Sequence, residues 1–361
     1  MKKVALLIAL MLLVSAFTFA VDFSASTNLA GNLWGTDGFV LNSPGQKDAD
    51  LLTVDVSDEV WGSHFRLCTD NVEGPVSLRK LNIWVKPIDM LKITVGSIGS
   101  GLYTEQLNWY QVSNGAIATA MDWSSDTATA GNGVNLELTP MSDLWILAGI
   151  SPGLATNFMA KDVDDKLVVG GDTNFGLAAK YTIADFGSVG VAYRNNGGTT
   201  AADGTVAWNE MNFRLGFDVT SVEGLYAFLQ GIFTVDAGDE SISGIVIDEF
   251  VSYTAGDFNV KATFPVTIRV TGDAGDDNYM TYDVKAGYKV MENVTPFVRL
   301  EQQGAAILLN DIKFMPSIKL GADYSIGSVN FMTALQINVP DSDVAGAEVT
   351  WSIPFEMRAS W

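Results

Sequence analysis

A chain of 361 residues with 42 acidic against 21 basic side chains carries a formal charge of −21, which opposes nucleic acid as a partner. One cysteine, Cys68, and one histidine, His64, leave no internal disulfide, no cysteine or histidine metal cluster and at most one imidazole for acid–base chemistry. Mean hydropathy is +0.20, with 35 glycines and 11% aromatics, yet beyond position 21 no apolar run approaches the roughly 20 residues of a membrane-spanning helix, so the apolar character must be dispersed with a period.

At the N-terminus, Lys2 and Lys3 precede an apolar run over 4–14, and Thr18 and Ala20 frame a small-residue cleavage site. Residues 1–20 read as a cleaved export signal and 21–361 as one β domain. The run is too short to span a bilayer, and no cysteine follows Ala20 to carry a lipid anchor. Losing Lys2 and Lys3 takes the mature charge from −21 to −23.

A strand is predicted to begin at once at Asp22, which leaves no room for the N-terminal plug that a channel for hydrophobic compounds would carry. Residues 51–69 read as two strands about a turn at 58–61, or as one bent strand and a loop. A hairpin follows over 77–96 with its turn at 86–90, and the apolar run 144–150 suits a single strand after a turn at 140–143. Further short turns fall at 184–186, 220–224, 255–257, 290–294 and 325–327.

The period is clearest in the second half. Over 211–219, Met211, Phe213, Leu215, Phe217 and Val219 alternate with Asn212, Arg214, Gly216 and Asp218. The same two-residue repeat runs through 258–270, 280–290, 314–326 and 329–339. A soluble sandwich shares that alternation; the connections decide between the two. Short turns alternate with longer polar links near 34–49, 97–132, 151–172, 195–208, 236–246, 270–278, 303–311 and 340–346, with a shorter link at 70–75. That layout is an all-β, antiparallel up-and-down transmembrane barrel of about 18 strands, or about 16 if 51–69 holds only one.

The last segment sets Ala347, Val349, Trp351, Ile353, Phe355, Met357, Ala359 and Trp361 on one face and Glu348, Thr350, Ser352, Glu356, Arg358 and Ser360 on the other. Here the chain resembles bacterial outer-membrane porins, whose final strand alternates in this way and ends in Phe or Trp. The resemblance implies that Phe355, Met357 and Trp361 form an assembly signal for the barrel-assembly machinery, with outer-membrane lipid around the chain and self-association into a homo-oligomer as an option. A second resemblance covers Asn82-Ile83-Trp84-Val85-Lys86-Pro87 through Ile88-Asp89-Met90 to Gly96, which looks like a strand, Lys-Pro turn and Gly-ended strand of porin-like proteins, spirochaete ones among them.

In general porins one long loop folds inward, so link 97–132 is the candidate constriction, with Glu105, Asp122 and Asp126 set among Tyr103, Trp109, Tyr110 and Trp123. The alternative is an outer lid. The alternation places Lys180, Arg194, Arg214, Lys261, Arg269, Lys285, Lys289, Arg299, Lys313, Lys319 and Arg358 on the lumen wall, with Asp218, Asp283, Glu301, Asp323, Glu348 and Glu356 as acidic counterparts. Such a wall is mildly basic, unless its charges only pair between strands. Acids gather in the links, at Asp162, Asp164 and Asp165, at Asp236, Asp239 and Glu240, at Asp273, Asp276 and Asp277, and at Asp341 and Asp343. They would draw cations to the mouth. The Asp273–Asn278 stretch lacks the spaced ligands of a calcium loop, so no metal and no cofactor is expected.

Trp34, Trp61, Trp84, Trp145, Trp208, Trp351 and Trp361 fall near strand ends and read as interfacial girdles, with sugar stacking in the pore as the alternative. Ser63 and His64 point to opposite strand faces and form no nucleophile–base pair, so no enzymatic activity is expected. The sequence reads as an outer-membrane pore for passive diffusion of small hydrophilic solutes and ions, weakly favouring cations. The competing reading is a structural or adhesive surface barrel without an open pore.

Overall fold

The computed structural model describes residues 20–24, 26–36, 38, 40–41, 49–69, 76–97, 132–151, 159–161, 167–169, 174–196, 199–200, 206–207, 210–236, 241–269, 278–302, 307–308, 314–340 and 347–360. These residues form strands and turns and contain no helix. The first strands are β1 (Ala20–Ser24), β2 (Ser26–Gly35), β3 (Val40–Leu41), β4 (Ala49–Ser57), β5 (Trp61–Thr69), β6 (Val76–Ile88), β7 (Leu91–Ser97), β8 (Asn132–Met141) and β9 (Leu144–Ser151). After them come β10 (Met159–Lys161), β11 (Leu167–Val169), β12 (Asn174–Ile183), β13 (Gly187–Asn196), β14 (Thr199–Thr200), β15 (Val206–Ala207), β16 (Glu210–Val219), β17 (Leu225–Asp236) and β18 (Ser241–Ala255). The chain ends on β19 (Phe258–Thr263), β20 (Val266–Arg269), β21 (Tyr279–Met280), β22 (Asp283–Tyr288), β23 (Val294–Gln302), β24 (Ile307–Leu308), β25 (Pro316–Ile326), β26 (Val329–Asn338) and β27 (Thr350–Ser360).

Twenty-three of these strands make one antiparallel sheet, while β10–β11 and β14–β15 are separate small hairpins within the longer links. Each principal strand pairs with the next in sequence, from β4–β5 through β26–β27. The last strand, β27, then pairs with β2, which on its other side pairs with β3, and β1 pairs with β4. The ladder therefore returns to its own first strand, leaving no open edge there. Five places hold two successive pieces, namely β1 and β2, β3 and β4, β19 and β20, β21 and β22, and β23 and β24, so the 23 strands fill eighteen places in the ladder. Residues 51–69 contribute two strands and not one bent strand. All eight expected short turns are present, whereas link 236–246 is shorter than expected because β18 already begins at Ser241.

Side-chain exposure follows the two-residue period. On β16, Phe213, Leu215 and Phe217 are exposed while Asn212, Arg214 and Asp218 are buried. Leu177, Val191, Val251, Val298, Leu320 and Leu335 continue the exposed apolar face around the sheet. A protein in water cannot hold its large apolar groups outside and its charges inside over a whole sheet; lipid around the outside resolves the inversion.

One of these five interruptions has a local cause. Phe264 and Pro265 separate β19 from β20, because proline has no N–H to contribute. The partner strand β18 repairs the gap: Thr263 Oγ1 donates to the Glu249 carbonyl at 2.7 Å, and the Phe264 N–H is held by the Glu249 carboxylate. Glu249 lies opposite the exposed Leu229 on the outer face, so this carboxylate sits in the apolar band for the sake of a backbone donor.

Candidate functional site

The inner wall is assembled from the residues that alternate with the exposed apolar set. Across β22, β23 and β25 it carries a network of charges. Arg299 donates through Nε and Nη2 to the two oxygens of Asp283, at 2.8 and 2.6 Å, and lies 3.0 Å from Glu301. Glu301 also meets Lys319 at 2.5 Å, and Lys285 meets Asp323 at 2.6 Å while its ammonium stands 4.1 Å from the centroid of the Phe297 ring. Arg299–Asp283 and Lys319–Glu301 join neighbouring strands, Arg299–Glu301 lies within β23 and Lys285–Asp323 reaches across β23, so three cations face three carboxylates and this sector of the wall is nearly neutral.

Several sequence-derived wall residues fall where the alternation placed them. Lys180, Arg214, Lys261, Lys285, Arg299 and Lys319 share the inner face with Asp218, Asp283, Glu301 and Asp323. Arg194, Arg269 and Arg358 occupy strand positions paired with Asn212, Gly244 and Asn330, and only their backbone placement is described. Lys289 is exposed just beyond the end of β22, where its N–H donates to the Asp257 carbonyl at 2.8 Å, so it belongs to the short-turn rim. Lys313, the candidate constriction residues Glu105, Asp122 and Asp126, and the terminal Trp361 lie outside the described residues. Phe355 and Met357 lie on the outer side of β27, Phe355 packed between Gly31 and Thr333 in the ladder.

Two tryptophans depart from the girdle expectation. Trp84 alternates with the exposed Ile83 and Val85 and therefore faces inward, lying flat over Gly62 of β5. The ammoniums of Lys86 and Lys92 both stand 5.5 Å from its ring centroid. Trp145 shares its face with Leu147 and Lys180, and its Nε1–H donates to Glu137 at 3.4 Å. Glu137 is also 3.2 Å from Lys92. Trp84, Lys86, Lys92, Glu137, Trp145 and Lys180 thus form one row across β6, β7, β8, β9 and β12. Trp34, Trp61 and Trp351 do sit on the outer face, as a girdle requires.

Other groups make contacts that the sequence did not show. His64 Nδ1 and Asp55 are 2.6 Å apart, and Ser63, on the other face, donates to the Asn82 carbonyl instead of approaching the imidazole. Asp248 is 1% exposed and accepts a 2.6 Å hydrogen bond from Gln230. Asp218 accepts from the N–H and hydroxyl of Ser188 at 2.7 and 2.8 Å. Phe228, Ile232 and Phe250, on the neighbouring strands β17 and β18, are apolar inner residues 6% exposed or less, so this sector of the wall is dry; Leu147 on β9 is buried elsewhere, with Ala178 and Ala192.

No family model matches the chain, and no curated protein matches it. Among solved structures, the chain is similar to a BenF-like porin from Pseudomonas fluorescens, with a TM-score of 0.56 and 8% identity over 95% of this chain and 98% of that one. It is similar also to the outer membrane protein OpdK from Pseudomonas aeruginosa, with a TM-score of 0.55 and 9% identity over 94% and 98%. The end-to-end coverage, the unbroken series of antiparallel neighbours and the apolar exterior agree, and the fold is that of a porin-like outer-membrane β-barrel.

Proposed function

We propose that the chain is an outer-membrane pore for passive diffusion of small hydrophilic solutes, weakly favouring cations. The observation that carries the proposal is the inward face: charged side chains line it from β6 to β25, on a sheet whose exterior is apolar, and such a wall has a use only if water and solutes reach it. The cation preference is supported at the short-turn rim, where Asp58, Glu59, Asp89, Asp143, Asp185, Glu223, Asp257 and Glu292 are all exposed. Acidic links at the opposite mouth add to it. On this reading residues 1–20 are removed on export, the short turns face the periplasm, and Glu105, Asp122 and Asp126 narrow the pore.

The dry sector around Phe228, Ile232 and Phe250 favours a second reading, a narrowed barrel that displays its loops without conducting. Planar-bilayer recording on the refolded chain separates the two. A pore gives discrete conductance steps and a cation-directed reversal potential in a KCl gradient that shrinks as salt rises, because exposed carboxylates are screened within about 8–10 Å at ordinary ionic strength. Neutralising Asp273, Asp276 and Asp277 together should reduce that potential at low salt only, while neutralising Glu105, Asp122 and Asp126 should alter conductance at both low and molar salt. Correctly folded protein with no conductance would reject the pore in favour of the display barrel.

A further inference from the structure

We propose that Glu249 is a binding site, on the lipid-facing side of the wall, for a lipid-soluble amine: a protonated amine carried on an apolar body. The inference goes beyond the pore reading and holds whether or not the barrel conducts.

Holding the Phe264 N–H accounts for an acceptor at position 249, not for an ionisable group. The same wall shows what that task requires. Gln302 shares the outer face with the exposed Val298 and Leu300, and its Oε1 accepts the Met315 N–H at 3.2 Å where the chain enters β25. A neutral amide is enough there. Position 249 carries a carboxyl group instead, and its Oε1 is shielded from water and has no hydrogen-bond partner. No Lys or Arg among the described residues acts on it. An ionisable group left in this way in hydrocarbon is costly, and such groups persist where they have a partner to meet.

The surroundings specify that partner. Leu229 stands opposite Glu249 on β17, Ile247 and Val251 flank it along β18, and Phe264 lies across from it at the ladder gap; all four are 38–43% exposed. An apolar body covers these side chains while its ammonium donates to Oε1, and the pair carries no net charge into the bilayer. An inorganic cation finds a single ligand group there and no water. Depth excludes a phospholipid. Glu249 lies six residues from Ala255 at the short-turn end of β18, roughly 20 Å along a tilted strand and so about 15 Å into an apolar band about 25 Å tall. A phospholipid amine is tied to its phosphate at the interface, whereas a single-chain amine has nothing to hold it there.

The test uses the refolded full chain in phosphatidylcholine vesicles, with radiolabelled dodecylamine as probe and dodecanol as its neutral counterpart. Dodecylamine should bind saturably above protein-free vesicles, and E249Q, which keeps an acceptor for the Phe264 N–H, should weaken that binding by about tenfold or more. Dodecanol should bind saturably to neither protein. A second measurement needs no variant: dicyclohexylcarbodiimide, which reacts with carboxyl groups in the lipid phase, should modify Glu249 of the wild-type chain, and dodecylamine should slow that modification where dodecanol does not. Equal dodecylamine binding by the two proteins, saturable dodecanol binding, or modification that dodecylamine leaves unchanged overturns the site. Protection by phosphatidylethanolamine equal to that by dodecylamine overturns the lipid-soluble amine in favour of a lipid headgroup. A conducting protein that fails these tests leaves the pore reading standing and removes this inference; a non-conducting protein that passes them does the reverse.

Discussion

Gly62 offers the most direct probe of the inner row. A Cβ at this position would lie 2.6 Å from Nε1 and Cε2 of Trp84 and 2.7 Å from Cζ2, where carbon contacts normally begin near 3.5 Å. In Gly62→Ala the indole must therefore retreat by about 1 Å. Gly62 and Trp84 are register partners in the β5–β6 ladder, so the backbone cannot yield without breaking cross-strand hydrogen bonds. The ring must instead rotate off the sheet into the lumen, at about 0.5–1.5 kcal/mol for the strained rotamer together with part of its contact on the backbone. A loss of about 1–2 kcal/mol leaves the barrel folded, and the displaced indole moves under Lys86 and Lys92 into the path of solutes. Single-channel conductance of the refolded variant should fall while its heat-modifiable folded fraction stays near wild type. Unchanged conductance with unchanged folding would mean that Trp84 does not lie on Gly62 at the pore wall.

Glu249→Ala leaves the Phe264 N–H unpaired on the lipid side, which should lower unfolding stability in micelles by about 1–3 kcal/mol, whereas Glu249→Gln keeps an acceptor and should lose less; equal stability of all three proteins would refute the repair of the ladder gap. Deleting Trp361 should reduce the heat-modifiable folded fraction during assembly into outer-membrane lipid, and undiminished folding would remove the terminal aromatic from the proposed assembly signal.

The alternation was legible wherever each strand had one apolar and one polar face. Over 211–219 every residue falls on the side that its hydropathy assigns, because lipid and water select opposite chemistries at successive positions. The short turns were legible for the same reason, as breaks in that period. The inner row was legible only in part. Asn82, Trp84 and Lys86 alternate with Leu81, Ile83 and Val85, so the register already carried the inward direction of Trp84, although an indole near a strand end equally suits the membrane interface. Trp145 lies in the run 144–150, which is apolar on both faces and so has no readable direction until its pairing with Lys180 is known. Asp248 and Glu249 are adjacent acids, and one of them must face lipid. Nothing local in the sequence says which, because the reason lies across the ladder at Phe264 and Pro265.

Distance along the strands decides whether the acidic rim cancels the basic row. Lys86 stands three residues before Asp89, and Lys180 five before Asp185. At about 3.4 Å per residue these are separations of roughly 10–17 Å. The screening length is about 8 Å at physiological salt and about 30 Å at 0.01 M. In dilute salt the rim and the row therefore act as one field, dominated by the more numerous carboxylates, and the pore should favour cations throughout. Near physiological salt the two layers separate: the rim still concentrates cations at the mouth, while a solute that has passed it responds to the ammoniums of the row. On this reading one chain of strongly acidic composition presents cation preference to bulk electrolyte at its mouth and a basic row to the solutes inside it, without any part of the wall having to move.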